Sequence, residues 1–140
     1  MRFVLDTDVI VAAMRSPLGA SAALLVAARE GRVTMLASVA LALEYEATCK
    51  RLEHGVAAGL SQSEVTTFLD AVIGMAEPVK SHFLWRPQLR DPGDELVLEA
   101  AANGRAAAIV TFNLRDYGNI PQRFGIEVLN PGTALRRIRV

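Results

Sequence analysis

The sequence has a single cysteine, Cys49, in 140 residues. A lone thiol excludes an intrachain disulfide and any zinc site built on several cysteines. Long apolar runs are missing as well. Hydrophobic residues make up 51% of the chain, but charges interrupt them, and no stretch approaches the ~18–20 apolar residues of a membrane span. The first residues lead directly into a strand pattern, without the apolar run and small-residue cleavage site of a secretory signal. A cytoplasmic protein without a membrane partner is therefore expected. Net charge is zero, which argues against a protein that coats nucleic acid by bulk electrostatics. Lysine is scarce: Lys50 and Lys80 stand against thirteen arginines. Arg is the better fork for phosphate and carboxylate, although a GC-rich coding bias accounts for the imbalance and for the many alanines. Repeats, linkers and low-complexity tracts are absent, and the length suits one domain, 1–140.

What is present is an alternation of short apolar runs with helical patterns. A strand is expected over Arg2–Leu5, a helix over Asp8–Met14 and a second over Ser21–Arg29, with Gly31 just past its end. Val33–Ala37 reads as a buried strand. Ser38 is placed to cap a long helix reaching about Leu52. Ser61-Gln62-Ser63-Glu64 is a capping box opening a helix to Ala76. Val79–Phe83 is a candidate edge strand. Asp91-Pro92-Gly93-Asp94 is a turn starting a helix to Asn103, which Gly104 ends. Strands follow at Ala107–Thr111 and Ile126–Leu129, with a final helical turn or two over Thr133–Ile138. This alternation predicts a three-layer α/β/α domain around a mainly parallel sheet.

Four carboxylates fall where such a sheet gathers its ligands, outside the carboxyl ends of its strands. Asp6 follows Phe3-Val4-Leu5 directly; a plain helix cap also explains it. Glu44 shares a helix side with Leu41 and Thr48, either at the edge of the buried stripe or reaching into a cleft. Asp94 begins a helix, where the N-terminal partial charge favours an anion, and Asp91 competes for the simple capping role. Asp116 lies in a loop past Ala108-Ile109-Val110, where a turn-forming Asp is ordinary. Glu46, Glu95 and Glu99 read as outer-face charges. At an effective dielectric near 20, two like charges ~4 Å apart repel by about 4 kcal/mol, so converging acids call for a hard divalent cation with oxygen ligands. That points to Mg²⁺- or Mn²⁺-dependent chemistry on phosphate esters. His54 and His82 fit no metal-ligand spacing and are expected to stay away from the acids. Cys49 reads as a small packed residue.

Taken together, four segments resemble the PIN-domain family over nearly the whole chain. They are Val4-Leu5-Asp6-Thr7-Asp8-Val9, Ser38 to Glu44-Tyr45-Glu46 with Arg51, Arg90-Asp91-Pro92-Gly93-Asp94 followed by Leu98-Glu99-Ala100-Ala101, and Val110-Thr111-Phe112-Asn113-Leu114-Arg115-Asp116-Tyr117. The Arg-Asp-Pro-x-Asp and Glu-Tyr-Glu pieces are most similar to the VapC-type toxins of toxin–antitoxin systems. The resemblance implies a parallel sheet, an acid cluster binding Mg²⁺ or Mn²⁺, and ribonuclease activity on single-stranded RNA. Asp6, Glu44, Asp94 and Asp116 match the acidic positions. Where many relatives have Thr-Gly-Asp, this chain has Thr111-Phe112-Asn113, so Asn113 supplies hydrogen bonds without charge and weakens the case for a second metal ion. Asp8 stands where Asn is frequent, either adding charge or capping the helix.

In the expected chemistry Asp6, Asp94 and Asp116 hold the metal, and Glu44 ligates it or orients the attacking water. The ion acidifies a water and neutralises charge developing on the phosphate. Thr111 and Asn113 position a ligand carboxylate. Arg90 and Arg15 are candidates to touch phosphates, and Phe112 either stacks on a base or packs in the core. The resemblance also implies a cognate antitoxin and a homodimer, for which the Ser61–Ala76 helix with Phe68 is a candidate face. Two rivals stand beside this reading. Asp6-Thr7-Asp8-Val9 also resembles the opening of haloacid-dehalogenase-type phosphatases, in which Asp6 would be the nucleophile and a later lysine is needed. A non-catalytic relative that binds RNA or protein is the other.

Overall fold

Phe3, Val4 and Leu5 are each almost wholly buried, which a strand achieves only when both faces of its sheet are covered. In the computed structural model, which describes residues 1–81 and 87–139, they form β1 (Arg2–Leu5) at the centre of the sheet. Thr34–Ala37 is β2, Glu77–Pro78 β3, Ala108–Val110 β4 and Glu127–Leu129 β5. Their order is β3-β2-β1-β4-β5 and every described pairing is parallel. Val4 stands opposite Leu36 on one side and Ile109 on the other. The chain leaves β1 toward β2, while β4 lies on the opposite side of β1, so the strand order reverses between β1 and β4. In open α/β sheets the crevice beyond the strand ends at such a reversal is where ligands bind.

The helices are α1 (Thr7–Arg15), α2 (Ala20–Arg29), α3 (Val39–Cys49), α4 (Leu52–Ala58), α5 (Gln62–Met75), α6 (Pro92–Asn103), α7 (Leu114–Tyr117) and α8 (Pro131–Arg139). α1 packs on α2, α3 and α4, α2 on α8, and α6 against β1 and β4. The Ser38 cap and the Ser61–Glu64 capping box both form, with Leu41 N–H donating to Ser38 Oγ at 3.1 Å and Glu64 N–H to Ser61 Oγ at 3.2 Å. Among the described residues no single helix is long and apolar enough to cross a membrane.

Four boundaries differ from expectation. The helix after Ser38 stops at Cys49, because Arg51 is extended (φ −61°, ψ 133°) and starts a separate α4 that ends at Gly59 with φ +72°. The exposed Leu52 and Val56 of α4 give it no apolar stripe, so the sequence pattern hid it. The edge strand sits at Glu77–Pro78, where Pro is tolerated. Val79 N–H still donates to Ala37 O at 3.0 Å, and His82 and Phe83 lie outside the described residues. Asp116 lies on the short α7 rather than in a loop. The last helix begins earlier, at Pro131, since Pro suits a first helical position.

Candidate active site

Asp6 is fixed by both elements it joins. Its N–H donates to Val110 O at 2.9 Å, extending the β1–β4 ladder, while its carbonyl accepts from Val9 as α1 begins. Asp6 is only 7% exposed. Thr7 N–H donates to Oδ1 at 2.7 Å, and the hydroxyls of Thr111 and Tyr117 donate to Oδ2 at 2.7 and 2.9 Å. The capping role and the buried-site role thus coexist in one side chain. Donors favour the ionised form, but burial outweighs them and holds the carboxyl above its usual range.

Asp8 lies on the first turn of α1 and is tied to the segment following β4. Its Oδ2 accepts from Asn113 Nδ2 at 3.0 Å and Phe112 N–H at 3.1 Å, while Oδ1 is buried without a partner. Burial, then repulsion from Asp6, pushes this carboxyl up to about 6. Asn113, expected to steady a ligand carboxylate, does so for Asp8, and Thr111 does so for Asp6.

The third carboxylate arrives from α6. Asp91 caps that helix, its Oδ1 accepting from Gly93 N–H at 2.7 Å and Asp94 N–H at 3.4 Å. Asp94 is thereby freed from capping and turned toward Tyr117, whose hydroxyl lies 3.5 Å from its Oδ1. Burial first, then the charges of Asp6, Asp91 and Asp116, push the Asp94 carboxyl up to about 7. Glu44 comes from α3, held against β1 by the Tyr45 hydroxyl donating to Leu5 O. Thr48 Oγ1 lies 3.4 Å from Glu44 Oε1. A Cβ at position 93 would sit 3.0 Å from Asp91 Oδ1 and 3.8 Å from Glu44 Oε1, so the glycine leaves room for the Asp91 cap within its own turn, while Glu44 stands at ordinary contact distance.

Asp6, Asp8, Glu44 and Asp94 line one cavity of about 420 Å³, with Arg51 and His54 on its wall. His54 is therefore not remote from the acids, because the unexpected break before α4 swings it inward; its Nδ1 is buried and unpartnered. Asp116 does not line this cavity. It is exposed and borders a neighbouring cavity of about 530 Å³ with Arg90, Arg115 and Asp94, and acts on the cluster through its charge on Asp94. Arg15 lies with Asp8 on a third cavity. Phe112 is 52% exposed rather than packed in the core. Glu95, read as an outer-face charge, accepts from Gln88 and Leu89 N–H at 3.0 and 2.9 Å. Neither Lys50 nor Lys80 lines the acidic cavity, and both are exposed. The residue that sequence reasoning missed is Tyr117. Its buried ring follows the exposed Asp116 on α7, and its partner Asp6 lies 111 positions away.

Carboxylate oxygens predominate among the donors of this crevice, with His54 on its wall, and oxygen ligands suit a hard cation. Among the described residues no group of three acidic, His or Cys side chains is drawn together into a ready cage. Mg²⁺ does not need one, since it keeps several waters and binds through one or two carboxylates. The buried, unpartnered Oδ1 of Asp8 and the raised Asp6 and Asp94 carboxyls fit such an ion.

Comparison with known proteins follows the same outline. A family model for the PIN domain matches residues 2–115, a span that holds Asp6, Asp8, Glu44, Asp94 and Asn113 and stops one residue short of Asp116. Among solved structures, the chain is similar to one in the crystal structure of VapBC2 from Rickettsia felis bound to a DNA fragment from their promoter. The TM-score is 0.55 at 16% identity, over 93% of this chain and 98% of that one. At that identity the likeness is one of fold. No curated protein matches.

Proposed function

This chain belongs to the PIN-domain family, and from that premise we propose that it is a metal-dependent ribonuclease acting on single-stranded RNA, the toxin of a toxin–antitoxin pair. The observation that carries the reading is the convergence of Asp6, Asp8, Glu44 and Asp94 on one crevice at the sheet's switch point, with Asp8 and Asp94 raised to about 6 and 7. Clustered acids that hold their protons so tightly are poised to exchange them for a cation. A bound Mg²⁺ or Mn²⁺ would neutralise charge building on a phosphate and acidify a water for in-line attack.

The chain's own groups have distinct tasks. Asp6 and Asp94 would hold the ion, Asp6 locked in orientation by Thr111 and Tyr117. Glu44, half-buried at the cavity wall, would ligate the ion or orient the attacking water. Asp116 raises the negative field at Asp94 from the next cavity, where Arg90 can meet a phosphate. The similar fold in a VapBC2 complex supports an antitoxin partner for this chain, and a cytoplasmic homodimer completes the proposal. The haloacid-dehalogenase-type alternative lacks support, because neither Lys50 nor Lys80 lines the cavity that holds Asp6. A non-catalytic RNA- or protein-binding role is the remaining alternative.

The test is cleavage of a mixed single-stranded RNA with Mn²⁺ against EDTA, beside Asp6→Asn. Metal-dependent cutting lost in the variant is expected. A folded, antitoxin-free protein that cuts nothing in either condition sinks the nuclease reading in favour of the binding role.

A further inference from the structure

The lining of the acidic cavity is not acidic throughout. Its carboxylates belong to Asp6, Asp8, Glu44, Asp91 and Asp94, and among the described residues Arg51 is the one arginine or lysine that joins them. Arg90 and Arg115 line the next cavity and Arg15 a third. Arg51 is therefore the cation that shares its space with Asp6 and Glu44.

The backbone puts it there. Arg51 stands at the corner between α3 and α4, extended at φ −61° and ψ 133°. Both sides of its peptide are tied down. Its N–H donates to Thr48 O at 3.2 Å, and its carbonyl accepts from the His54 and Gly55 N–H groups at 3.0 and 3.4 Å. Glu44 and Thr48, one turn apart on α3, line the wall that leads to this corner.

A guanidinium on a wall with five carboxylates is expected to be drawn into an ion pair. Among the described residues Arg51 makes none, and its side chain donates no hydrogen bond. Its planar fork of five N–H donors is left free for an anion from outside. The cavity has use for it. A divalent ion at Asp6 and Asp94 offsets two of the five negative charges, so the lining still repels a phosphodiester. The transition state of hydrolysis is more demanding, because negative charge grows on the phosphoryl oxygens. A donor already in place where that charge develops lowers the barrier.

We propose that Arg51 is a catalytic residue whose guanidinium grips the non-bridging oxygens of the scissile phosphate. The inference rests on the ribonuclease reading for its substrate. Arg51 takes no part in holding the metal ion. It admits the phosphate to an acid-lined space, and its hold strengthens as charge builds on the phosphoryl oxygens. Arg90 and Arg115, in the next cavity, are left to phosphates farther along the strand.

Arg51→Ala leaves the fold safe, since the side chain is exposed. Lys50→Ala is its control, a neighbouring exposed cation that does not line the cavity. The substrate is an octaribonucleotide whose cut position has been mapped. A second version, with a neutral methylphosphonate at that linkage, serves as a competitive inhibitor. In Arg51→Ala kcat/KM is expected to fall about a hundredfold, while Mn²⁺ binding, read by EPR without RNA, stays at least as tight as in wild type. Neutralising the linkage should weaken binding about tenfold in wild type and less in Arg51→Ala. Unchanged kcat/KM in an enzyme that cuts overturns the assignment and leaves the nuclease intact. So does an equal loss in Lys50→Ala, weaker Mn²⁺ binding that accounts for the loss, or a neutralisation that costs both proteins alike. Where the wild type cuts nothing, binding of the octamer in Mn²⁺ decides. A tenfold weakening in Arg51→Ala alone upholds the phosphate grip and sinks the nuclease reading, and equal binding overturns both.

Discussion

Replacing Asp94 by Asn should make the metal-free protein more stable while abolishing its activity. The carboxyl is pushed from 3.8 to about 7 by burial and by Asp6, Asp91 and Asp116, so near neutral pH the folded state resists its ionisation. Were the group sealed from water, a displacement of that size would correspond to about 4 kcal/mol at high pH. Asp94 is half-buried, and solvent screening reduces the effect to about 1–2 kcal/mol. Between pH 4 and 7 the native state holds a proton that the unfolded state has released. Stability is therefore complete below pH 3.8 and declines as pH rises toward 7. Asn removes that slope and keeps an acceptor near Tyr117. Asp8, raised to about 6, retains a smaller slope of the same sign. Thermal unfolding in EDTA from pH 4 to 8.5 reads this directly. The variant should melt about 3–5 °C above wild type at pH 8 and meet it near pH 4. Mn²⁺ should reverse the ranking, since a cation at 100 times its Kd adds about 2.7 kcal/mol and the variant binds it poorly. A variant that melts at or below wild type at pH 8 in EDTA, with the wild-type slope, refutes the claim that Asp94 is electrostatically strained.

Other perturbations probe neighbouring links. Tyr117→Phe removes the 2.9 Å donor to Asp6 Oδ2; metal-dependent cleavage should fall roughly tenfold or more with the fold retained, and full activity would show that Thr111 and the Thr7 N–H suffice to orient Asp6. Asn113→Asp sets a second carboxylate against Asp8 Oδ2, now 3.0 Å from the amide nitrogen. It should cost about 1 kcal/mol after screening, which Asp8→Asn in the same chain restores; additivity of the two changes in a double-mutant cycle would sever the pair. Gly104→Ala would bring a Cβ to 2.9 Å from Val79 Cγ2 and Ala100 O and 3.1 Å from Leu36 Cδ1. Urea unfolding should register a loss of about 1–3 kcal/mol, and an unshifted midpoint would mean that the α6–β2 approach is looser than described.

Local pattern carried the reading as far as local physics reaches. Asp6, Asp91 and Asp94 were legible because strand ends and helix caps leave short-range signatures, and the parallel sheet followed from the alternation of elements. The site's remainder depends on contacts that no window reveals. Tyr117 meets Asp6 across the β1–β4 reversal, and α7 is too short to show a period. Arg51 is extended and the α4 that follows it shows no apolar stripe, so His54 and Arg51 could not be placed at the acids. Phe112 looks like a core residue until Asp8 and Asn113 are seen to hold its segment at the surface.

The chain contains two tyrosines, and both end at this crevice: Tyr45 on the carbonyl before Asp6, Tyr117 on Asp6 itself. Neither is exposed. Every tyrosine signal the protein gives is thus a report from the acids, free of background from elsewhere in the fold. Ring-fluorinated tyrosine incorporated throughout the chain would yield two ¹⁹F resonances. One senses the anchoring of α3 and the other the charge on Asp6, so protonation, cation entry and substrate arrival can be followed without a label at any chosen position.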